Sequence, residues 1–436
     1  MSGGATDPGF IDVRRLIDES SVEELCRTAE DFFAERVGWN SLRAKPFAEI
    51  DETPELLVCF AQVVRGLKLL PDMTILDFGA GTCWTSRFLS QLGLRVVALD
   101  VSPSALEIGR ELYRRHPLIG HQPAPRFLQF DGHSFDLPDE SVDRISCWEA
   151  FHHVPNPARV LQEMGRVLRP GGIAGFSEPG PEHSKTAQSQ QEMGTYRVVE
   201  NDINVREIWG AAREAGFTEI KLALFNPQPF LLPLDEFEAY VTGQDAGARY
   251  VAETREQMRE RRLFFLFKGE RVTPDDSRRR EGLLAELCVE PASHRVAAGH
   301  ALRLNVVVKN VGSAVWLPTP EEPQPGRGSA LLSRLGRRLR PPTRVASPAP
   351  PRVGGVRLGV QLFDDRGELL EIDYYRHHLT PGAGRSVMPG ETINFSADVP
   401  MPRAGNYTLR CDLVSEMVGW FEPNGSPVVR LGVEVV

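Results

Sequence analysis

Thr74-Ile75-Leu76-Asp77-Phe78-Gly79-Ala80-Gly81-Thr82-Cys83 is a short apolar run that breaks into a glycine loop. About twenty residues after the first glycine comes Val96-Val97-Ala98-Leu99-Asp100, a second apolar run that ends on an acid. Between them Trp84, Phe88 and Leu92 stand four apart, a helical pattern that Gly93 closes. Strand, glycine turn, helix, strand, acid is the layout of a nucleoside-binding crevice at the carboxyl ends of parallel strands. Glycines let backbone and ligand approach closely. Asp100 has the oxygens to accept two hydrogen bonds from a ribose diol.

A dinucleotide fingerprint needs a third small residue, and Trp84 stands at that position. The triphosphate-binding G-x-x-x-x-G-K-[ST] is missing as well. A ligand with ribose and adenine but no phosphates fits better. ILDFGAG (75–81) and VVALDVS (96–102) resemble the first and second motifs of the class I S-adenosylmethionine-dependent methyltransferases. Downstream, FLQFDGHSFDLPDESVD (127–143), EAFHHV (149–154) and VLRPGG (167–172) are similar to that family's later motifs. Cys83 departs from it, where many members carry a third glycine. The resemblance implies S-adenosylmethionine as cofactor, held by Asp77, Gly79, Gly81, Asp100, Asp131, Gly132 and Glu149, with Asp131 on the adenine amino group.

At 436 residues the chain exceeds the usual single domain. Its 41% apolar and 25% charged residues are those of an ordinary globular protein, and a net charge of −9 argues against non-specific nucleic-acid binding. The first residues lack the basic start and apolar core of a signal peptide, and no apolar run approaches the ~18 residues that span a bilayer. Six scattered cysteines without a C-x-x-C pair suggest neither zinc nor a disulfide framework, so a reducing cytoplasm is expected.

Residues 1–20 read as a loose, flexible terminus. Ser21 with Glu24 forms a capping box ahead of an amphipathic helix, and a second helix is expected from Pro54 to Leu70. In the family such helices often form a lid over the substrate; the plainer reading is a cap on the sheet. Strands over 126–130, 142–148, 173–177, 219–225 and 263–267 alternate with helices over 103–115, 158–168 and 205–215 and a helical pair over 235–262. That alternation predicts an α/β fold, a doubly wound Rossmann-like seven-stranded sheet, over residues 21–269. Residues 270–282 read as a linker. Beyond it, alternating runs at 301–310, 356–363, 391–399, 407–414 and 428–436 predict a smaller all-β sandwich over 283–436, loosely resembling an immunoglobulin-like module. Within it, the Pro-, Gly- and Arg-rich stretch 318–355 reads as a disordered basic insertion. Leucines and arginines over 330–340 describe a short basic amphipathic helix, suited to weak contact with an anionic membrane surface or to plain solvation.

Methyl transfer from a sulfonium mainly requires a positioned nucleophile in a dry site. A hydroxyl acceptor must also lose a proton, and histidine is the usual base. His152 and His153 follow the fourth strand, where donor and acceptor would meet, and either is a candidate base. Histidine here also serves packing in this family. Glu149 and Glu178 are secondary candidates for orienting the acceptor. In the β region, Tyr374-Tyr375-Arg376-His377-His378 and Trp420-Phe421 suit sugar binding or a sandwich core. Adjacent strand histidines face opposite ways, so no metal site is expected. The favoured expectation is methyl transfer to a sugar hydroxyl of a glycan or glycolipid. The alternatives are a small metabolite as acceptor, with the sandwich making a homo-oligomer, and a non-catalytic cofactor-binding protein.

Overall fold

Leu76 and Phe78 face one side of the strand β1 (Thr74–Phe78) and Ile75 the other, and all three are buried. A strand buried on both faces must be covered by helices on both. The computed structural model describes residues 10–36, 38, 40–119, 122–243, 247–269, 275–319, 353–380 and 384–436. The chain divides into two units, Met1–Val272 and Thr273–Val436.

In the first unit β1 is joined by β2 (Arg95–Asp100), β3 (Arg126–Gln129), β4 (Val142–Trp148), β5 (Leu168–Pro179), β6 (Glu219–Leu222) and β7 (Arg261–Lys268). They form a seven-stranded sheet in the order β3-β2-β1-β4-β5-β7-β6. The first five are parallel, whereas β7 runs antiparallel to β5 and β6. The strand order reverses at β1, which pairs with β2 on one edge and β4 on the other. The loops after β1 and β4 therefore splay apart and leave a crevice at the carboxyl ends.

The helices are α1 (Val13–Asp18), α2 (Val22–Ala34), α3 (Asn40–Arg43), α4 (Thr53–Gly66), α5 (Trp84–Gln91), α6 (Pro103–Arg115), α7 (Pro157–Val167), α8 (Ala187–Tyr196), α9 (Val205–Glu214), α10 (Leu234–Val241) and α11 (Gly247–Glu260). Cys59 and Val63 of α4 and Leu89 of α5 pack with Ile75 and Val96 on one face. Val160, Leu161 and Met164 of α7 and Ile208 and Ala212 of α9 pack with Leu76 and Val97 on the other.

The capping box of α2 forms as read: Glu24 N–H donates to Ser21 Oγ (3.1 Å), and Ser21 N–H to the Glu24 carboxylate (2.9 Å). The stretch expected to be loose contains α1, whose Val13 and Leu16 are buried with Leu25 of α2 and with Met193 and Val199. Six residues are too few to show a period, and such a helix is held by its docking. Asn156 precedes α7 without capping it; its Nδ2 donates instead to the Gly132 carbonyl (3.0 Å).

In the second unit the described strands are β8 (Ala285–Pro291), β9 (Arg295–Val296), β10 (Ala301–Asn310), β11 (Val356–Phe363), β12 (Leu369–His378), β13 (Thr392–Pro400), β14 (Gly405–Ser415), β15 (Gly419–Trp420) and β16 (Val429–Val435). One sheet runs β13-β10-β8; the other runs β12-β11-β14-β16-β9, with β15 on β14. Along β10 the residues alternate strictly, with Leu302, Leu304, Val306 and Val308 buried. They share one core with Leu358 and Val360 of β11, Leu409 and Leu413 of β14, and Trp316. Most of the basic insertion, including its 330–340 stretch, lies outside the described residues, as does the 270–274 part of the expected linker.

Candidate active site

The loop after β1 turns on three left-handed residues, Gly79 (φ 65°), Gly81 (φ 50°) and Cys83 (φ 61°). A Cβ on Gly79 would lie 2.2 Å from that of Ala150, so this position needs glycine twice over. Cys83 adopts the backbone that a third glycine would supply. Its sulfur packs where Gly109 of α6 has no side chain; a Cβ there would lie 2.4 Å from Sγ. Trp84 sits in an aromatic cluster with Phe60, Phe88 and Trp148, ring centroids 5.6–5.9 Å away.

Asp77 is buried, accepting from Thr85 Oγ1 (2.7 Å) and Ser86 Oγ (2.5 Å) at the start of α5. Burial pushes its carboxyl up to about 6 against those hydroxyls. Asp100 ends β2 with Oδ2 accepting from Gly81 N–H (2.7 Å) and Oδ1 from Ser102 N–H (2.9 Å). Each oxygen keeps a lone pair. Glu30 of α2 accepts from Ser102 Oγ (2.5 Å) and Ser104 Oγ (2.6 Å), which ties the N-terminal helix to the start of α6.

Asp131 is exposed, and its Oδ1 accepts from the His133 and Ser134 amides, both at 2.8 Å. The cavity wall beside it is made by its neighbours Phe130 and Gly132 and by Asn156. Asn156 Oδ1 is buried there without a hydrogen-bond partner. No feature of the sequence marked Asn156 beyond its place before Pro157.

One cavity of ≈ 660 Å³ is walled by Gly79, Gly81 and Asp100 at one end and by His152, His153, His183 and Glu200 at another. Leu25, Cys26, Ala29 and Phe33 of α2 also line it. Glu149, in the left-handed conformation after β4, pairs with Arg261 of β7, whose Nε also donates to Glu55 of α4 (3.1 Å). Arg261 thus bridges two acids of the wall.

Glu178 at the end of β5 is fully buried and accepts from the Phe151 amide (3.0 Å) and from His152 Nδ1 (2.7 Å). Burial of the His152 ring opposes protonation, but Glu178 outweighs it and raises the imidazole above its ordinary range. His153 is lowered by loss of solvent and by the neighbouring His152. Its Nδ1 lies 2.6 Å from the Val199 carbonyl, so that nitrogen carries the proton and Nε2 the lone pair. The His153 side chain is 37% exposed, against 5% for His152. Glu200, buried, receives a hydrogen bond from His183 Nε2 (2.6 Å). Burial works upward on it, but the three histidines hold it down at about 2.

Residues 76–176, from β1 into β5, match the family described as a methyltransferase domain. A demethylmenaquinone methyltransferase of Renibacterium salmoninarum is 32% identical over 194 residues, which cover 44% of this chain and 69% of that protein. The chain belongs to the class I S-adenosylmethionine-dependent methyltransferases. A thiol S-methyltransferase of Rattus norvegicus is 30% identical over 199 residues, covering 44% of this chain and 77% of its own. A solved S-adenosylmethionine-dependent methyltransferase from Mesorhizobium loti has a TM-score of 0.37 and 20% identity over 50% of this chain and 100% of its own.

The protein is thus an S-adenosylmethionine-dependent methyltransferase, and S-adenosylmethionine is its cofactor. Within this methyltransferase, the sequence-derived residues Gly79, Gly81, Asp100, Gly132, Glu149, His152 and His153 line this cavity, while Asp77 and Asp131 are not among its lining residues. His183, Glu200 and Arg261 join it from later segments that no local motif marks. Among the described residues no helix is long and apolar enough to cross a membrane.

Proposed function

We propose that this methyltransferase acts on a hydroxyl of a small-molecule acceptor, bound at the histidine end of the cavity. The observation that carries the reading is that the glycine loop and the histidine–glutamate cluster wall a single cavity of ≈ 660 Å³, a size usual for small-molecule sites. In this reading the glycine loop and Asp100 take the cofactor's methionine and ribose, with Phe130, Gly132 and Asn156 around adenine. The α2 helix, anchored through Glu30, serves as a lid that keeps water out.

The acceptor oxygen attacks the methyl carbon while the carbon–sulfur electron pair leaves with sulfur. The hydroxyl proton must leave as the bond forms, and His152 and His153 are the groups placed to hold the oxygen and take part in that loss. Of the two, His153 is the more exposed to the cavity.

A sugar hydroxyl of a glycan is the narrower form of this reading. The aromatic groups of the β unit lend it little support. Tyr374 and Tyr375 pack on the unit's core, Tyr374 donates to the Pro400 carbonyl, and His377 stacks on Phe395 with ring centroids 5.3 Å apart. We read that unit as an immunoglobulin-like sandwich serving assembly.

The test is a panel of small phenols, alcohols and saccharides offered with S-adenosylmethionine, with S-adenosylhomocysteine formation as the readout. Turnover with a small hydroxyl acceptor, lost in His153→Ala while S-adenosylhomocysteine still binds, supports the reading. Turnover confined to thiols or carbon acceptors contradicts it.

A further inference from the structure

Glu200 lies behind the acceptor end of the cavity at 2% exposure, and its two oxygens differ. Oε2 is held by His183 Nε2 at 2.6 Å. Oε1 is buried without a hydrogen-bond partner; His153 Nδ1 stands 3.3 Å away, and the Glu192 carboxyl on the same cavity wall interacts with this carboxylate. An orphaned buried carboxylate oxygen is costly and calls for a ligand.

The neighbouring histidines are arranged to supply that ligand's other bonds. His152 commits Nδ1 to Glu178 (2.7 Å), and His153 commits Nδ1 to the Val199 carbonyl (2.6 Å). A second partner that fixes the Nδ1 proton leaves Nε2 as an electron-pair donor and sets the ring's direction, which is how proteins prepare histidines for metal. The His152 Nε2 stands 3.9 Å from Glu200 Oε2. One donor atom from each of His152, His153 and Glu200 lies within 4.8 Å of the other two.

We propose that His152, His153 and Glu200 bind a divalent first-row transition-metal ion at the acceptor end of the cavity. Two imidazoles and one carboxylate suit such an ion and leave open positions for water or an acceptor oxygen. Glu178, Val199 and His183 are the supporting partners. The proposal rests on reading this end of the cavity as the acceptor site. Held there by His152, His153 and Glu200, the ion would supply Lewis acidity that lowers the pKa of an acceptor hydroxyl. The acceptor's proton would be released to solvent before the lid closes, after which the oxygen bonds to the methyl carbon and the carbon–sulfur pair stays on sulfur. This revises the expectation of no metal, and does so through Glu200, which no sequence motif marks.

The test uses the full chain, stripped with a chelator and titrated with Co(II) alone by calorimetry and visible absorption. The expected result is one ion per chain with ligand-field bands, weakened by at least about 100-fold in Glu200→Gln and in His153→Asn. No saturable binding to the wild type overturns the site. Binding that both variants leave unchanged overturns it too. Glu200 is buried, so the fold of its variant is checked by melting; if it does not fold, the partly exposed His153 carries the comparison. S-adenosylhomocysteine titration of the same metal-free sample separates the two readings. Cofactor binding without Co(II) binding rejects the metal site alone, and Co(II) binding with no turnover on any hydroxyl acceptor rejects the acceptor reading alone.

Discussion

Gly79 and Ala150 meet across the crevice so closely that a Cβ on the glycine would lie 2.2 Å from the alanine's. They come from the loops after β1 and β4, paired neighbours in the sheet at the point where the strand order reverses. Gly79→Val adds this clash to a backbone at φ 65°. We expect loss of measurable S-adenosylhomocysteine binding by calorimetry in a chain that still folds. Unchanged affinity would contradict the place given to the loop.

Asp100 accepts from the Gly81 and Ser102 amides and retains lone pairs for the ribose. Asp100→Ala removes a charged acceptor and frees the loop. Its expected cost is about 2–4 kcal/mol of cofactor binding, or roughly 30- to 800-fold in affinity. Equilibrium titration reads it, and an unaltered dissociation constant would move the ribose elsewhere.

Asp77 predicts a pH dependence of stability. Its folded carboxyl is raised to about 6, so the native state binds more protons than the unfolded chain from its ordinary value up to that pH. The stability it contributes is present in acid and lost as pH rises through about 6. Asp77→Asn keeps acceptance from Thr85 and Ser86 and removes the buried charge. Urea unfolding should show the variant gaining on the wild type between pH 4.5 and 7.5, by at most about 3 kcal/mol. Equal differences at both pH values would show that the buried charge is not the cause.

Much of this was legible because it is local. The apolar runs, the glycine spacing and the acid at Asp100 lie within 74–100, and the capping box of α2 within four residues. What escaped depends on distant partners. His183 and Glu200 meet His152 and His153 only after α8 folds back, and Arg261 reaches Glu149 across 112 residues. The first half of the strand β12 was missed because it is exposed on both faces and shows no alternation. Asn156 before Pro157 has the residue type of a helix cap, but Gly132 holds its amide.

In the β unit, Asn310 is fully buried and donates through Nδ2 to the Ala314 (2.9 Å) and Val387 (3.3 Å) carbonyls. Its Oδ1 accepts from the Gly312 amide (3.1 Å). Asn310→Ala should cost about 1–3 kcal/mol by leaving these groups without partners. Hydrogen exchange along β10 and around Val387 would register the loss, and unaltered protection there would mean that the asparagine is not holding the turn.

The most direct test is calorimetric titration of the purified chain with S-adenosylhomocysteine, with NAD as the control. Micromolar binding of the first, abolished in Gly79→Val, and none of the second is the predicted result. Binding of NAD, or of neither ligand, would contradict the account of the crevice.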